Sequence, residues 1–158
     1  MPQLRKDPII GRWVIVSTER SKKPDQFDGS SGGPAEGECP FCEGKEAQTP
    51  SEISAIRKRG EKNKPGWNVR VLPSVAPFLR IEGELDRRGH GLYDVMNGIG
   101  AHEIVVETPQ HIDNIADLPV EQISDVFAVY QERLADLEKD QRFKYVLAFK
   151  NYGWSAGG

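Results

Sequence analysis

Two thiols two residues apart, in Cys39-Pro40-Phe41-Cys42, are the only cysteines of the 158-residue sequence. At that spacing a short loop can turn both sulfurs toward one point, and two thiolates with two further donors make a tetrahedral zinc site. His111 is the natural third donor. For the fourth the chain offers only His90, His102 and its carboxylates. The same pair could instead be a redox dithiol or two inert thiols. Context weighs against the redox reading: a thioredoxin-like pair follows a buried strand, whereas Asp25 to Glu38 is rich in Gly, Ser, Asp and Glu and reads as a surface loop.

Other stretches could also carry chemistry. Thr18-Glu19-Arg20-Ser21-Lys22-Lys23-Pro24 presents cations at the end of an expected strand. Arg20 could clamp a diphosphate by its planar fork and Lys23 as a point charge, or the stretch could be a solvated turn. Ser74 and Ala76, small residues between Pro73 and Pro77, could line a ligand groove or form an ordinary loop. Gly153-Trp154-Ser155-Ala156-Gly157 spells the GxSxG of a nucleophile elbow, with Ser155 as the candidate nucleophile. That elbow needs a following helix, an acid and a histidine, none of which comes after it in this sequence. Gly89, Gly91, Gly98 and Gly100 do not spell GxGxxG, and no GxxxxGK[ST] occurs.

The elements that must position these residues follow from hydrophobic patterning. Arg12–Ser17 reads as a largely buried strand, because its apolar run is almost unbroken. The charged stretch from Thr49 to Gly60 suggests a helical turn or two. Trp67–Pro73 alternates as a strand with one covered face does. Glu82–Gly100, rich in Gly, Asp and Arg, is expected to be irregular, and Ala101–Thr108 to be a strand that Pro109 stops before His111. Val120, Ile123, Val126, Phe127, Tyr130, Leu134 and Leu137 recur at spacings of three and four, predicting an amphipathic helix from about Pro119 to Asp140. Pro119 suits its first turn, and Glu121 faces the positive end of the helix dipole. Tyr145–Asn151 is expected to be a central strand.

The bulk properties set outer limits. A chain of this length is the size of one domain and buries about 68–70% of its unfolded surface, enough for one core. With 28% charged residues, both signs interspersed and a net charge of −3, it lacks the basic excess of a general nucleic-acid surface. Neither a signal-peptide pattern nor an apolar stretch approaching the roughly 18 residues of a membrane span is present. The expectation is a soluble cytoplasmic protein, with no nucleic-acid or membrane partner. A reducing compartment turns the cysteine pair away from a permanent disulfide.

Read together, the motifs resemble the galactose-1-phosphate uridylyltransferase family, a branch of the histidine-triad fold. The resemblance rests on Arg5-Lys6-Asp7-Pro8 with Gly11 through Ser17, Arg20 and Lys22-Lys23-Pro24, Cys39-Pro40-Phe41-Cys42, and Trp67 through Val71. It continues through His102 to His111 and Phe149-Lys150-Asn151-Tyr152-Gly153. It implies an α+β, HIT-like fold, a mainly antiparallel sheet with a long amphipathic helix packed on one face. Residues 1–158 are then a single domain, the N-terminal half of the enzyme.

The resemblance further implies a two-stage nucleotidyl transfer. A histidine attacks the α-phosphate of UDP-glucose, glucose 1-phosphate leaves, and the uridylyl-histidine passes its nucleotide to galactose 1-phosphate. Carried over by residue, Arg20 and Lys23 are phosphate contacts, Asn151 contacts the phosphate or ribose, and Phe41 lines the base or ribose pocket. Cys39, Cys42 and His111 bind zinc. Lys23 stands where an arginine is usual, and Ser74-Val75-Ala76 departs from the family's asparagine-containing pattern, which leaves the base open. The His-x-His motif holding the nucleophile and the fourth zinc ligand is expected a few residues beyond Gly158, so the chain alone is expected to be inactive. His102 reads as a hydrogen-bonded structural residue and His90 as exposed. The family's nucleotide-sugar and hexose 1-phosphate substrates and its homodimer come with the resemblance. The rival readings are a non-catalytic zinc or nucleotide-binding module and a GxSxG serine hydrolase fragment.

Overall fold

The structure is a computed structural model and describes residues 2–17 and 39–152. It is α+β, with antiparallel sheets and one long helix. The described residues divide into two compact units, one made of residues 2–17, 78–101 and 149–152, the other of 39–77 and 102–148.

The second unit carries the candidate metal loop and the helix. Strands β3 (Ser54–Arg57), β4 (Trp67–Pro73) and β7 (Glu103–Val106) form a sheet in the order β3-β4-β7. β4 is antiparallel to both neighbours, with Ser54 opposite Val71 on one side and Val71 opposite Val105 on the other. Flanked twice and covered by the helix, it is buried at Trp67, Val69, Arg70, Val71 and Leu72. The expectation of one covered face understates this burial. The charged stretch after Thr49 supplies β3 rather than a helical turn; the only helical geometry nearby is a 3-10 turn at Glu46–Gln48. Pairing with β4 decides the outcome, because each backbone group that joins the ladder removes an unpaired donor or acceptor.

Helix α1 runs Val120–Leu137, close to the expected span. Val126 and Val129 pack on Val69 and Val71, with Ile56, Val105 and Tyr130 around them. The inward stripe is turned from the expected one: Val129 is on it, while Val120 and Phe127 are exposed. Polar bonds set the rotation. Gln122 Nε2 donates to the carbonyls of Asn68 at 2.8 Å and Glu107 at 2.7 Å. Arg133 grips Glu103 by two bonds, 2.8 and 2.9 Å. Tyr130 donates to Glu107 at 3.1 Å; burial first and then that carboxylate push its hydroxyl up to about 12, so it remains a donor.

In the first unit β1 (Gln3–Lys6), β2 (Trp13–Val16), β5 (Arg88–His90) and β6 (Tyr93–Asn97) form an antiparallel sheet in the order β2-β1-β6-β5. The stretch expected to be irregular is therefore partly a hairpin. Gly91 at φ +59° opens a two-residue turn between His90 and Tyr93, which sit opposite each other. β2 is an edge strand, and Trp13, Val14 and Ile15 are exposed rather than buried. An unbroken apolar run marks a strand but does not say what covers it. Tyr145–Asn151 corrects another expectation: no strand forms there, and Tyr145, Leu147 and Phe149 are exposed. β propensity needs a partner edge to become a strand.

Candidate metal centre

The donors of Cys39, Cys42 and His111 lie within 4.8 Å of one another. Both thiols are half-buried and the imidazole is exposed. They form the only such group of three among the described residues. Sulfur Sγ of Cys42 is 3.6 Å from Nδ1 of His111, across 69 residues of sequence. A tetrahedral zinc about 2.3 Å from sulfur and about 2.0–2.1 Å from nitrogen sets such a pair about 3.6 Å apart. The donor set and its spacing fit a zinc ion.

Local structure explains why the loop and the histidine meet. The loop turns tightly, with Cys42 N–H reaching Cys39 O at 3.4 Å and Lys45 N–H reaching Cys42 O at 3.1 Å. Glu43 N–H donates to Pro109 O at 2.9 Å, tying the loop to the exit turn of β7 where His111 sits. The Glu43 carboxylate accepts from Gly66 N–H at 2.6 Å, just before β4. Gly66 adopts φ +101°, and a Cβ there would lie 2.5 Å from Arg59 O, so only glycine closes this turn. On the far side of the ring, His111 Nε2 is 3.5 Å from Asp113 Oδ1. That carboxylate favours the tautomer with its proton on Nε2, which leaves the lone pair of Nδ1 facing the thiols.

Burial, then the neighbouring Cys39 thiol, push Cys42 above its ordinary value, against the pull of Lys45. A metal would therefore displace the Cys42 proton as it binds, which makes uptake weaker in acid.

Behind the loop lies a buried polar network that patterning did not reveal. Glu46 accepts from Trp67 Nε1 at 2.8 Å and from Gly44 N–H at 3.1 and 3.2 Å. Burial raises its pKa, but the bonds from Trp67 and the backbone of Glu46 and Gly44, with the Arg70 charge, bring it below the ordinary value. Arg70 bonds Glu52 at 2.9 Å and Thr49 Oγ1 at 2.9 Å, and Glu52 also holds Arg57. Glu52 is likewise lowered: burial opposes, and the bonds from Arg57, Asn63 and Arg70 prevail. The one signal available in the sequence was an arginine in the midst of the apolar β4, which has to be paired if buried.

The remaining predicted residues are spread out. Phe41 is half-buried in the metal loop. Ser74 follows β4; its N–H donates to His102 O at 2.9 Å and its hydroxyl accepts from Ala76 N–H at 3.3 Å. His102 is half-buried and His90 exposed. Asn151 is exposed. Arg20, Lys23 and Ser155 lie outside the described residues.

Comparison with known proteins places these features. The family described as galactose-1-phosphate uridyl transferase, N-terminal domain, matches residues 1–158. An ADP-glucose phosphorylase of Arabidopsis thaliana is 32% identical over 99% of this chain and 45% of its own length. A galactose-1-phosphate uridylyltransferase of Thermotoga maritima is 27% identical over 99% of this chain and 43% of its own. Among solved structures, a uridylyltransferase superposes with a TM-score of 0.68 at 31% identity, over 98% of this chain and 41% of that one. The Arabidopsis thaliana ADP-glucose phosphorylase with bound ADP-glucose gives 0.63 at 32% identity, over 100% and 45%. The chain spans less than half the length of these relatives.

Proposed function

Because the chain belongs to the galactose-1-phosphate uridyl transferase family through its N-terminal domain, we propose that it is the metal-pinned half of an enzyme that moves a nucleotidyl group between a nucleotide sugar and a hexose 1-phosphate. The observation that supports this reading best is the convergence of Cys39, Cys42 and His111 in a chain matched to the family over its whole length. Zinc held by those three residues would supply a positive charge that neutralises two thiolates and a tether between loop and sheet.

Reaction proceeds by two displacements at the α-phosphorus. An imidazole nitrogen, expected from a His-x-His segment beyond residue 158, forms a P–N bond as the P–O bond to the β-phosphate breaks and the hexose 1-phosphate leaves. A phosphate oxygen of the second hexose 1-phosphate then attacks the same phosphorus and releases the histidine. Within this chain Arg20 and Lys23 neutralise phosphate charge during the transfer, Phe41 and Ser74 face the nucleoside, and Asn151 contacts the phosphate or ribose. The favoured substrates are UDP-glucose and galactose 1-phosphate, in the cytoplasm, with two copies of the enzyme paired.

A second reading, phosphorolysis of ADP-glucose, is favoured by the higher identity to the ADP-glucose phosphorylase than to the Thermotoga maritima transferase, 32% against 27%. One experiment separates them. The full product of the gene is incubated with UDP-glucose and labelled glucose 1-phosphate, and separately with ADP-glucose and inorganic phosphate. Label entering UDP-glucose supports uridylyl transfer; phosphate-dependent release of ADP and glucose 1-phosphate from ADP-glucose supports the phosphorylase. Neither product would overturn both. The 158-residue chain alone is expected to do neither.

A further inference from the structure

We infer that Glu46 is the positioning residue of the metal loop, a buried carboxylate through which the start of β4 sets the loop that carries Cys39 and Cys42. The inference rests on the metal reading above and extends it to a residue that touches no ligand atom.

Glu46 is only 6% exposed, an unusual place for a carboxylate unless its oxygens are occupied. Its partners come from two directions. Trp67 Nε1, on the first residue of β4 and itself 2% exposed, donates at 2.8 Å from the core side. Gly44 N–H, two residues after Cys42, donates to both oxygens from the loop side. Gly44 adopts φ +89°, a conformation that glycine takes without strain and other residues rarely adopt, and the carboxylate of Glu46 is the acceptor for its N–H at this bend of the loop. The backbone of Glu46 is anchored as well, since its carbonyl accepts from Thr49 Oγ1 at 3.0 Å and Thr49 Oγ1 accepts from buried Arg70. The indole and the network fix the carboxylate, the carboxylate fixes Gly44, and Gly44 fixes where Cys42 turns back. Without that chain of bonds the thiols keep their chemistry and lose their shared aim.

Glu46 could instead serve the stability of β4 alone, and the test separates the two roles. Co²⁺ affinity, measured by chelator competition with the thiolate-to-cobalt absorption band as readout, is compared in the wild-type chain, E46Q, V126A and C39S, alongside thermal midpoints. E46Q keeps the volume and removes the charge, turning an amide N–H₂ toward donors. V126A removes two methyl groups from the core between helix and sheet and none of the hydrogen bonds of Glu46. The inference requires E46Q to bind Co²⁺ about tenfold more weakly or worse, in the range typical of lost outer-shell partners, while V126A changes affinity less than threefold at a comparable fall in midpoint. An E46Q that loses midpoint but binds Co²⁺ like the wild type overturns it. Should E46Q not fold, W67F decides: it removes the indole donor together with part of the ring's volume, and unchanged Co²⁺ affinity in it overturns the inference too. C39S binding Co²⁺ as the wild type does would instead overturn the metal centre itself, whatever E46Q does.

Discussion

Strands β2 and β4 are written in nearly the same alphabet and end in opposite environments. Among the described residues Trp13-Val14-Ile15-Val16 pairs on one side only, and its first three residues are 41–46% exposed. Trp67-Asn68-Val69-Arg70-Val71-Leu72 pairs on both sides, lies against α1, and keeps Trp67, Val69, Val71 and Leu72 at 2% or less. The more polar of the two is the more buried. Composition specifies a strand, and neighbours specify its burial; β4 has a helix whose Val126 and Val129 fit it, and a carboxylate for each polar group it carries inward.

The sharpest way to break the comparison is through the charges. R70M leaves Glu52 buried with Arg57 as its remaining ion-pair partner, and removing one member of a buried pair costs about 3–5 kcal/mol. The matching change in the first unit, K6M, removes a 3.8 Å contact between exposed groups, and we expect no more than about 0.5 kcal/mol. Urea denaturation of both variants checks this. Similar losses would mean that the burial contrast carries no energetic weight. Next in size is the apolar pair. V71A deletes two methyl groups from the core and should cost about 2 kcal/mol, while the same deletion at exposed Val14 should stay within about 0.5 kcal/mol.

Acid sharpens the same contrast. The carboxyls of Glu46 and Glu52 lie below the 4.5 of the unfolded chain. Each therefore adds stability that is complete above about pH 4.5 and disappears as pH falls through its lower folded-state value, because the unfolded chain takes up the proton first. Denaturation midpoints should drop below pH 4.5, and E52Q should flatten that drop while lowering stability at pH 7. An acid slope unchanged in E52Q would remove Glu52 from the account.

Much of this was legible in the sequence, and the failures have one cause. Helix α1 announced itself because its stripe spans five turns, and the Cys39–Cys42–His111 grouping because a CxxC pair and a histidine in the exit turn of a strand are residue types that can share one metal ion. Proline marked the end of β7 and so the turn that presents His111. What patterning could not see was partnership. It placed Phe127 inward because periodicity carries no information about Gln122 and Arg133, whose bonds rotate the helix. Neither Glu46 nor Glu52 stood out, since the donors that permit their burial come from β4, 21 residues from Glu46 for the bond from Trp67 and 18 from Glu52 for the bond from Arg70. The hairpin at β5 and β6 was hidden in a glycine- and charge-rich stretch whose Tyr93-Asp94-Val95-Met96-Asn97 is short.

The smallest expected effect tests the misread stretch itself. Tyr145-Val146-Leu147-Ala148-Phe149 has the composition of a buried strand, yet Leu147 is 66% and Phe149 63% exposed, and no ladder includes either. If exposure governs, L147S changes the stability of the 158-residue chain by less than about 0.5 kcal/mol, because the side chain gives up little burial on unfolding. A loss above about 1.5 kcal/mol would mean that the segment packs as its sequence suggests and that the β2–β4 lesson does not extend to it. Segments of high β propensity left without an edge to join also tend to associate with one another. We therefore expect L147S to lower light scattering of concentrated samples even where it leaves the unfolding midpoint alone, which would separate what this stretch does between chains from what it does within one.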